Sequence, residues 1–88
     1  MKFEWDEDKN LVNIEKDGVS FEEAALAFLD PKRLIRLNSK HSATEMRYYC
    51  LGMVGSRVLS VRFVIRGSKI RIISAGYWRE GRKIYEQN

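Results

Sequence analysis

One cysteine, one proline and one histidine occur among the 88 residues, and each scarcity removes a class of chemistry. A lone Cys50 forbids an internal disulfide, and within an apolar segment it reads as a small core side chain rather than a nucleophile. With one histidine, one cysteine and no group of acids spaced to bring three or four ligands together, neither a metal nor a cofactor is expected. The glycines are isolated in turn or cap positions, which leaves no phosphate-cradling loop and no dinucleotide fingerprint. Serine hydrolysis lacks a nucleophile-elbow context. No apolar run approaches the length needed to cross a bilayer, and the opening "MKFEWDEDK" is too acidic for a secretory signal. A cytoplasmic chain with no membrane partner is expected. At this length, with 44% hydrophobic residues, residues 1–88 should form one domain around one modest core.

The net charge of +4 conceals a division. Residues 1–30 carry nine acids and three bases, a net of −6, whereas residues 31–88 carry thirteen bases and three acids, a net of +10. A field concentrated in this way attracts phosphate polymers, and it attracts an acidic protein partner equally well.

Local signals divide the chain into helices first and strands afterwards. Asp6 reads as an N-cap with Glu7 and Asp8 in the first turn, and Gly18 stands where a helix stops, which predicts a helix over about residues 7–17. Ser20 with Glu23 three residues on forms a capping box, so a second helix starts there, burying Phe21, Ala24, Ala25 and Phe28 and ending before Pro31. "RLIRLN" is a plausible strand of unfixed register. "RYYCLGMV", "RVLSVRFVIR" and "KIRIISA" are rich in β-branched and aromatic residues and are separated by Gly55-Ser56 and Gly67-Ser68, the signature of two tight hairpins. The expected fold is α+β: two N-terminal helices packed on one face of a three- to four-stranded antiparallel sheet, with a short C-terminal helix or tail.

Two-residue turns fix the register. One face then carries Tyr48, Cys50, Val54, Leu59, Val61, Phe63, Ile65, Ile70 and Ile72 and forms the core. The other aligns Arg47, Val64 and Arg71 in one row and Tyr49, Arg62 and Ile73 in the next. A solvated polar face is the ordinary reading of such a surface. Three arginines within cross-strand reach repel unless something anionic lies on them, and a phosphate is such a group.

RNA cleavage needs no cofactor, because the 2′-hydroxyl beside each phosphate is a built-in nucleophile. The protein must supply cations for the charged transition state, a base and an acid. Arg47, Arg62 and Arg71 are candidates for the first task, and His41 and Glu45 for proton transfer, with Tyr49 able to stack on a base or donate a proton. Tyr77 and Trp78, set beside Arg79, Arg82 and Lys83, suit RNA contact; core packing by the C-terminal segment explains the two aromatics equally well.

The segments "FEWDEDKNLVNIEKDGVSFEEA" and "RGSKIRIISA", together with His41, Glu45 and Arg47, resemble the BrnT toxins in the expected order over nearly the whole chain. The resemblance implies a RelE-like fold and a metal-independent endoribonuclease of a bacterial type II toxin-antitoxin system. Such a protein halts translation, with or without the ribosome as a partner, and is neutralised by a BrnA-type antitoxin. A homodimer and a heterotetramer with that antitoxin both stay open. Members usually carry Lys-His-Gly where this chain has Lys16-Asp17-Gly18, and Arg where it has Gly76; if that Arg is a phosphate contact, the resemblance implies that Arg79 or Arg82 replaces it or that activity falls. The rival readings are a non-catalytic RNA-binding module using the same face, and a protein-interaction module whose toxin activity has decayed.

Overall fold

The capping signals act where the sequence places them. The computed structural model describes residues 1–39 and 44–88. Strand β1 (Lys2–Glu4) precedes helix α1 (Glu7–Asp17), whose N-cap Asp6 accepts hydrogen bonds from the Asp8 and Lys9 amides and whose C-cap Gly18 is left-handed at φ 71°. Helix α2 (Phe21–Ala25) starts at Ser20, which accepts from the Glu23 amide at 3.0 Å. It tightens into a 3₁₀ turn over Leu26–Leu29 and stops before Pro31. Strands β2 (Leu34–Leu37), β3 (Arg47–Val54), β4 (Arg57–Arg66) and β5 (Lys69–Gly76) follow, and helix α3 (Arg79–Glu86) closes the chain.

Among the described residues the sheet has five strands in the order β1-β5-β4-β3-β2, and it is mixed rather than purely antiparallel. The expectation of three to four antiparallel strands is corrected by β1, which pairs parallel to β5 with Phe3 beside Ile70. Three residues are too few to show a period of two, so nothing in the sequence marks them as a strand. Gly55 and Gly67 take positive φ, 63° and 60°, while among the described residues no non-glycine residue does; each hairpin therefore turns on its first loop residue, as in a type II′ turn.

Register follows the two turns as far as Arg62. Arg47, Val64 and Arg71 align as expected. The next row is corrected: an irregularity at Arg62/Phe63 places Arg62 opposite Ser74 rather than Ile73. The cause is one extra β5 residue accommodated as a bulge, after which Ala75, not Ser74, faces the core opposite Val61.

The core lies under α1, α2 and the 3₁₀ turn. Phe21, Leu59, Val61, Phe63, Ile72 and Cys50 are buried there, each large side chain contributing roughly 1.5–3 kcal/mol. Phe28 packs between Phe3 (5.2 Å between centroids) and Phe63 (5.1 Å). Gly52 lets the 3₁₀ turn touch the sheet, since a Cβ there would overlap the Ala27 carbonyl. Ile65, expected in this core, is 54% exposed, because it sits next to the Gly67-Ser68 turn at the end of the sheet. Helix α1 buries Asn10 and Asn13 instead of its Leu11, Val12 and Ile14, which are exposed. Asn13 donates to the carbonyls of Val19 and Ala75 and accepts from the Ala75 amide, stitching helix to sheet. Helix α3 lies on the opposite face, where Gly81 meets Ser60 and Leu51. Among the described residues no helix is long and apolar enough to cross a membrane.

Candidate nucleic-acid interface

Strand alternation turns Tyr49, Arg62, Ser74 and their neighbours away from the main core, onto the face that α3 only partly covers. Arg62, exposed at the middle of the sheet, borders three adjoining hollows. The largest, about 560 Å³, runs from the end of α1 to α3 and is lined by Lys16, Asp17, Asn38, Tyr49, Ser60, Trp78, Glu80 and Ile84 among others. A second, about 270 Å³, adds Lys9, Val12 and Ser74, and a third, about 180 Å³, brings Arg47 and Asn38 to the same guanidinium. Arg62 and Arg47 thus share one hollow, and Arg62 and Tyr49 another.

The remaining candidates are distributed less simply. Arg71 donates to Glu4 of β1 at 3.3 Å, and Lys69 lies 3.8 Å from the same carboxylate. The repulsion expected within the arginine row is thereby relieved at one end by the strand that the sequence did not reveal. Glu45 pairs with Arg66 through two bonds of 3.1 and 3.2 Å. That guanidinium holds the Glu45 carboxyl below the usual carboxylate range, with Arg47 and Arg71 acting in the same direction more weakly. His41 lies outside the described residues.

The two aromatics after β5 separate. Tyr77 leans on the core, its hydroxyl donates to Glu23 and the Arg57 guanidinium sits 4.0 Å from its ring centroid. Burial, and then the bond to Glu23, push its phenol up to about 12, so it carries its proton throughout the physiological range. Trp78 turns to the other side. Arg62 lies 4.7 Å from its ring centroid, and its indole N–H donates to Asp17 at 3.4 Å. Gly76 provides the seat: a Cβ there would overlap the indole. The two positions at which the chain departs from the pattern it resembles, Asp17 and Gly76, therefore meet at one ring.

Arg79 and Arg82 do not reach the Arg62 hollows. With Arg57, Tyr77 and the other side of Trp78 they line a separate depression of about 450 Å³. Lys83 is exposed on α3. Lys16, Asn38 and Arg57 were missed by sequence reasoning, and no local signal marks them, because each is brought in by an element distant in the chain. The arrangement offers cations, two aromatic faces and open volume, which together suit a single-stranded polyanion.

A family model described as ribonuclease toxin, BrnT, of type II toxin-antitoxin system matches residues 5–81. The match takes in Asp17, Arg47, Arg62, Arg71 and Trp78 and ends within α3. Comparison with curated proteins found no match.

Proposed function

The chain belongs to the BrnT family of ribonuclease toxins of type II toxin-antitoxin systems, and from that premise we propose that it is a metal-independent endoribonuclease acting on the α3-side face of its sheet. The observation that carries the reading is the position of Arg62 at the meeting point of three hollows, with Arg47 in one and Tyr49 in another. Arg62 and Arg47 hold the scissile phosphate and stabilise the charge that grows on it as the neighbouring 2′-oxygen attacks. Arg71 extends the cationic row while engaged by Glu4. Tyr49 offers a flat surface to a flanking base. The Arg79 and Arg82 depression carries the strand beyond Trp78, with Lys83 close by in sequence.

Proton transfer falls to His41 or Glu45. Glu45 is the weaker base of the two, since its pairing with Arg66 lowers its affinity for a proton. Cleavage of cytoplasmic RNA halts translation, and a BrnA-type antitoxin neutralises the toxin.

Purified protein incubated with a long single-stranded RNA in excess EDTA tests this. The expected result is fragments from the wild type and intact RNA with Arg62→Ala. Salt-sensitive binding without scission, in the presence and absence of ribosomes, would replace the enzyme with a binding module. Loss of cleavage in His41→Gln but not in Glu45→Gln would assign the proton transfer.

A further inference from the structure

Arg62 is a long side chain on the central strand, exposed, and no carboxylate among the described residues is ion-paired with it. A guanidinium in that situation spreads over many rotamers, and ordering it falls on whatever ligand it binds. Here it does not stand alone. It lies over the Trp78 ring at 4.7 Å, the indole N–H is tied to Asp17 at the end of α1, and the ring occupies space that only a glycine at position 76 leaves open. Asp17, 61 residues away at the end of α1, and Gly76, at the end of β5, thus meet at one ring that faces one cation. Asp17 borders two of the same hollows as Arg62, but it accepts from the indole N–H rather than pairing with the guanidinium. The positive charge is oriented without being neutralised.

We propose that Trp78 is the positioning residue for Arg62: a platform, anchored by Asp17 and seated on Gly76, that pre-orders the guanidinium over the hollow where an RNA phosphate binds. The inference deepens the ribonuclease reading and rests on it for its substrate. A pre-ordered cation lowers the entropy loss on binding and keeps its hydrogen-bond fork directed at the phosphate as charge develops. A π-face can do this where a carboxylate cannot, because a carboxylate would cancel the charge that the substrate needs.

The alternative role for Trp78 is to stack directly on a base, independently of Arg62. A double-mutant cycle separates the two. Trp78→Ala should lower kcat/KM roughly three- to thirtyfold, the span of a cation–π contact. Trp78→Phe, which keeps a ring face, should recover most of that loss. Gly76→Ala should match Trp78→Ala because it evicts the ring, and the Gly76→Ala/Trp78→Ala pair should be no worse than either alone. In an Arg62→Ala background, Trp78→Ala should cost nothing further. A full additional loss in that background, or wild-type activity in Trp78→Ala, overturns the proposal. Thermal unfolding of every variant removes those that fail to fold, and Trp78→Phe keeps the question answerable if the alanine variant is among them. The same cycle is read in the Kd for a 2′-O-methyl RNA oligonucleotide, which cannot be cut by 2′-oxygen attack. An enzyme that binds but does not cleave overturns the ribonuclease reading while leaving the positioning cycle measurable. A wild type that neither cleaves nor binds overturns both.

Discussion

Gly81 of α3 rests directly on Ser60 of β4, so closely that a Cβ on the glycine would overlap the serine Oγ. Ser60 is 4% exposed, and its hydroxyl has no hydrogen-bond partner among the described residues. Close approach of helix and strand has closed off a polar atom. Ser60→Ala should therefore stabilise the fold by about 1 kcal/mol, because a buried unsatisfied hydroxyl costs that order of free energy. Gly81→Ala should do the reverse, loosening α3 and exposing the C-terminal segment to protease. Urea denaturation and limited proteolysis of the two variants check the pair. A Ser60→Ala variant less stable than wild type would mean that the hydroxyl is satisfied in solution.

Asn13 makes the most demanding polar contact in the interior, three hydrogen bonds to backbone groups of Val19 and Ala75. Replacing it by Ala strands those groups away from water, for an expected loss of about 3 kcal/mol. Asn13→Leu should do no better, although it adds apolar area, since the same carbonyls and amide go unpaired. Denaturation midpoints at constant m-value measure both.

That asparagine shows where the sequence was legible and where it was not. The caps at Asp6, Gly18 and Ser20 and the two Gly-Ser turns announce themselves over three or four residues, because the chemistry of a cap or a tight turn is local. The boundaries of α1 and the register of Arg47, Val64 and Arg71 follow from them. The inward face of α1 does not, because its asparagines are there to bond distant backbone rather than to bury apolar area. The bulge beside Ile73 adds one residue to β5 without any composition that marks it. At the site, the arginines and Tyr49 were visible as one face of a strand pattern. The link from Asp17 to Trp78 spans 61 residues and only folding could reveal it.

Asp30 and Tyr85 give the fold a pH signature. The Tyr85 hydroxyl donates to Asp30 at 2.6 Å, and Asp30 also accepts from the Met53 and Lys32 amides. These bonds, the tyrosine's first, hold the Asp30 carboxyl below its ordinary value near 3.8. The bond to Asp30 raises the Tyr85 phenol above its ordinary 10.0. For a depressed acid, the stabilisation is present above the unfolded value and is lost as pH falls through the folded one. For a raised phenol, it is present below the unfolded value and is lost as pH rises through the folded one. The pair thus contributes between about 3.8 and 10.0. Tyr85→Phe should lower Tm across that window and converge with wild type in stronger acid. A Tm gap that persists unchanged at pH 2 would assign the loss to packing instead.

The Cys50 thiol, fully buried in the core, is pushed up to about 12, chiefly by desolvation. It should resist thiol reagents in the native protein at pH 8 and react only at the rate of unfolding. Labelling followed by mass spectrometry, with and without urea, checks this, and rapid native labelling would show that the core opens locally.

Glu4 is the acid that stands between the arginine row and a ligand at its far end. It engages both Arg71 and Lys69, with side chains between 29% and 51% exposed, a pairing worth under about 1 kcal/mol to the fold. Glu4→Gln should therefore leave stability nearly unchanged while releasing Arg71 toward phosphate. If Arg71 then adds one contact to a single strand, log Kd against log salt should steepen by roughly 0.7, with tighter binding at low salt. The control is Arg71→Ala in the same background. If Arg71 is the cation released, its removal cancels the gain; if the gain survives, Lys69 or the general field is responsible, and Arg71 belongs to the scaffold that fastens β1 to β5 rather than to the surface that holds RNA.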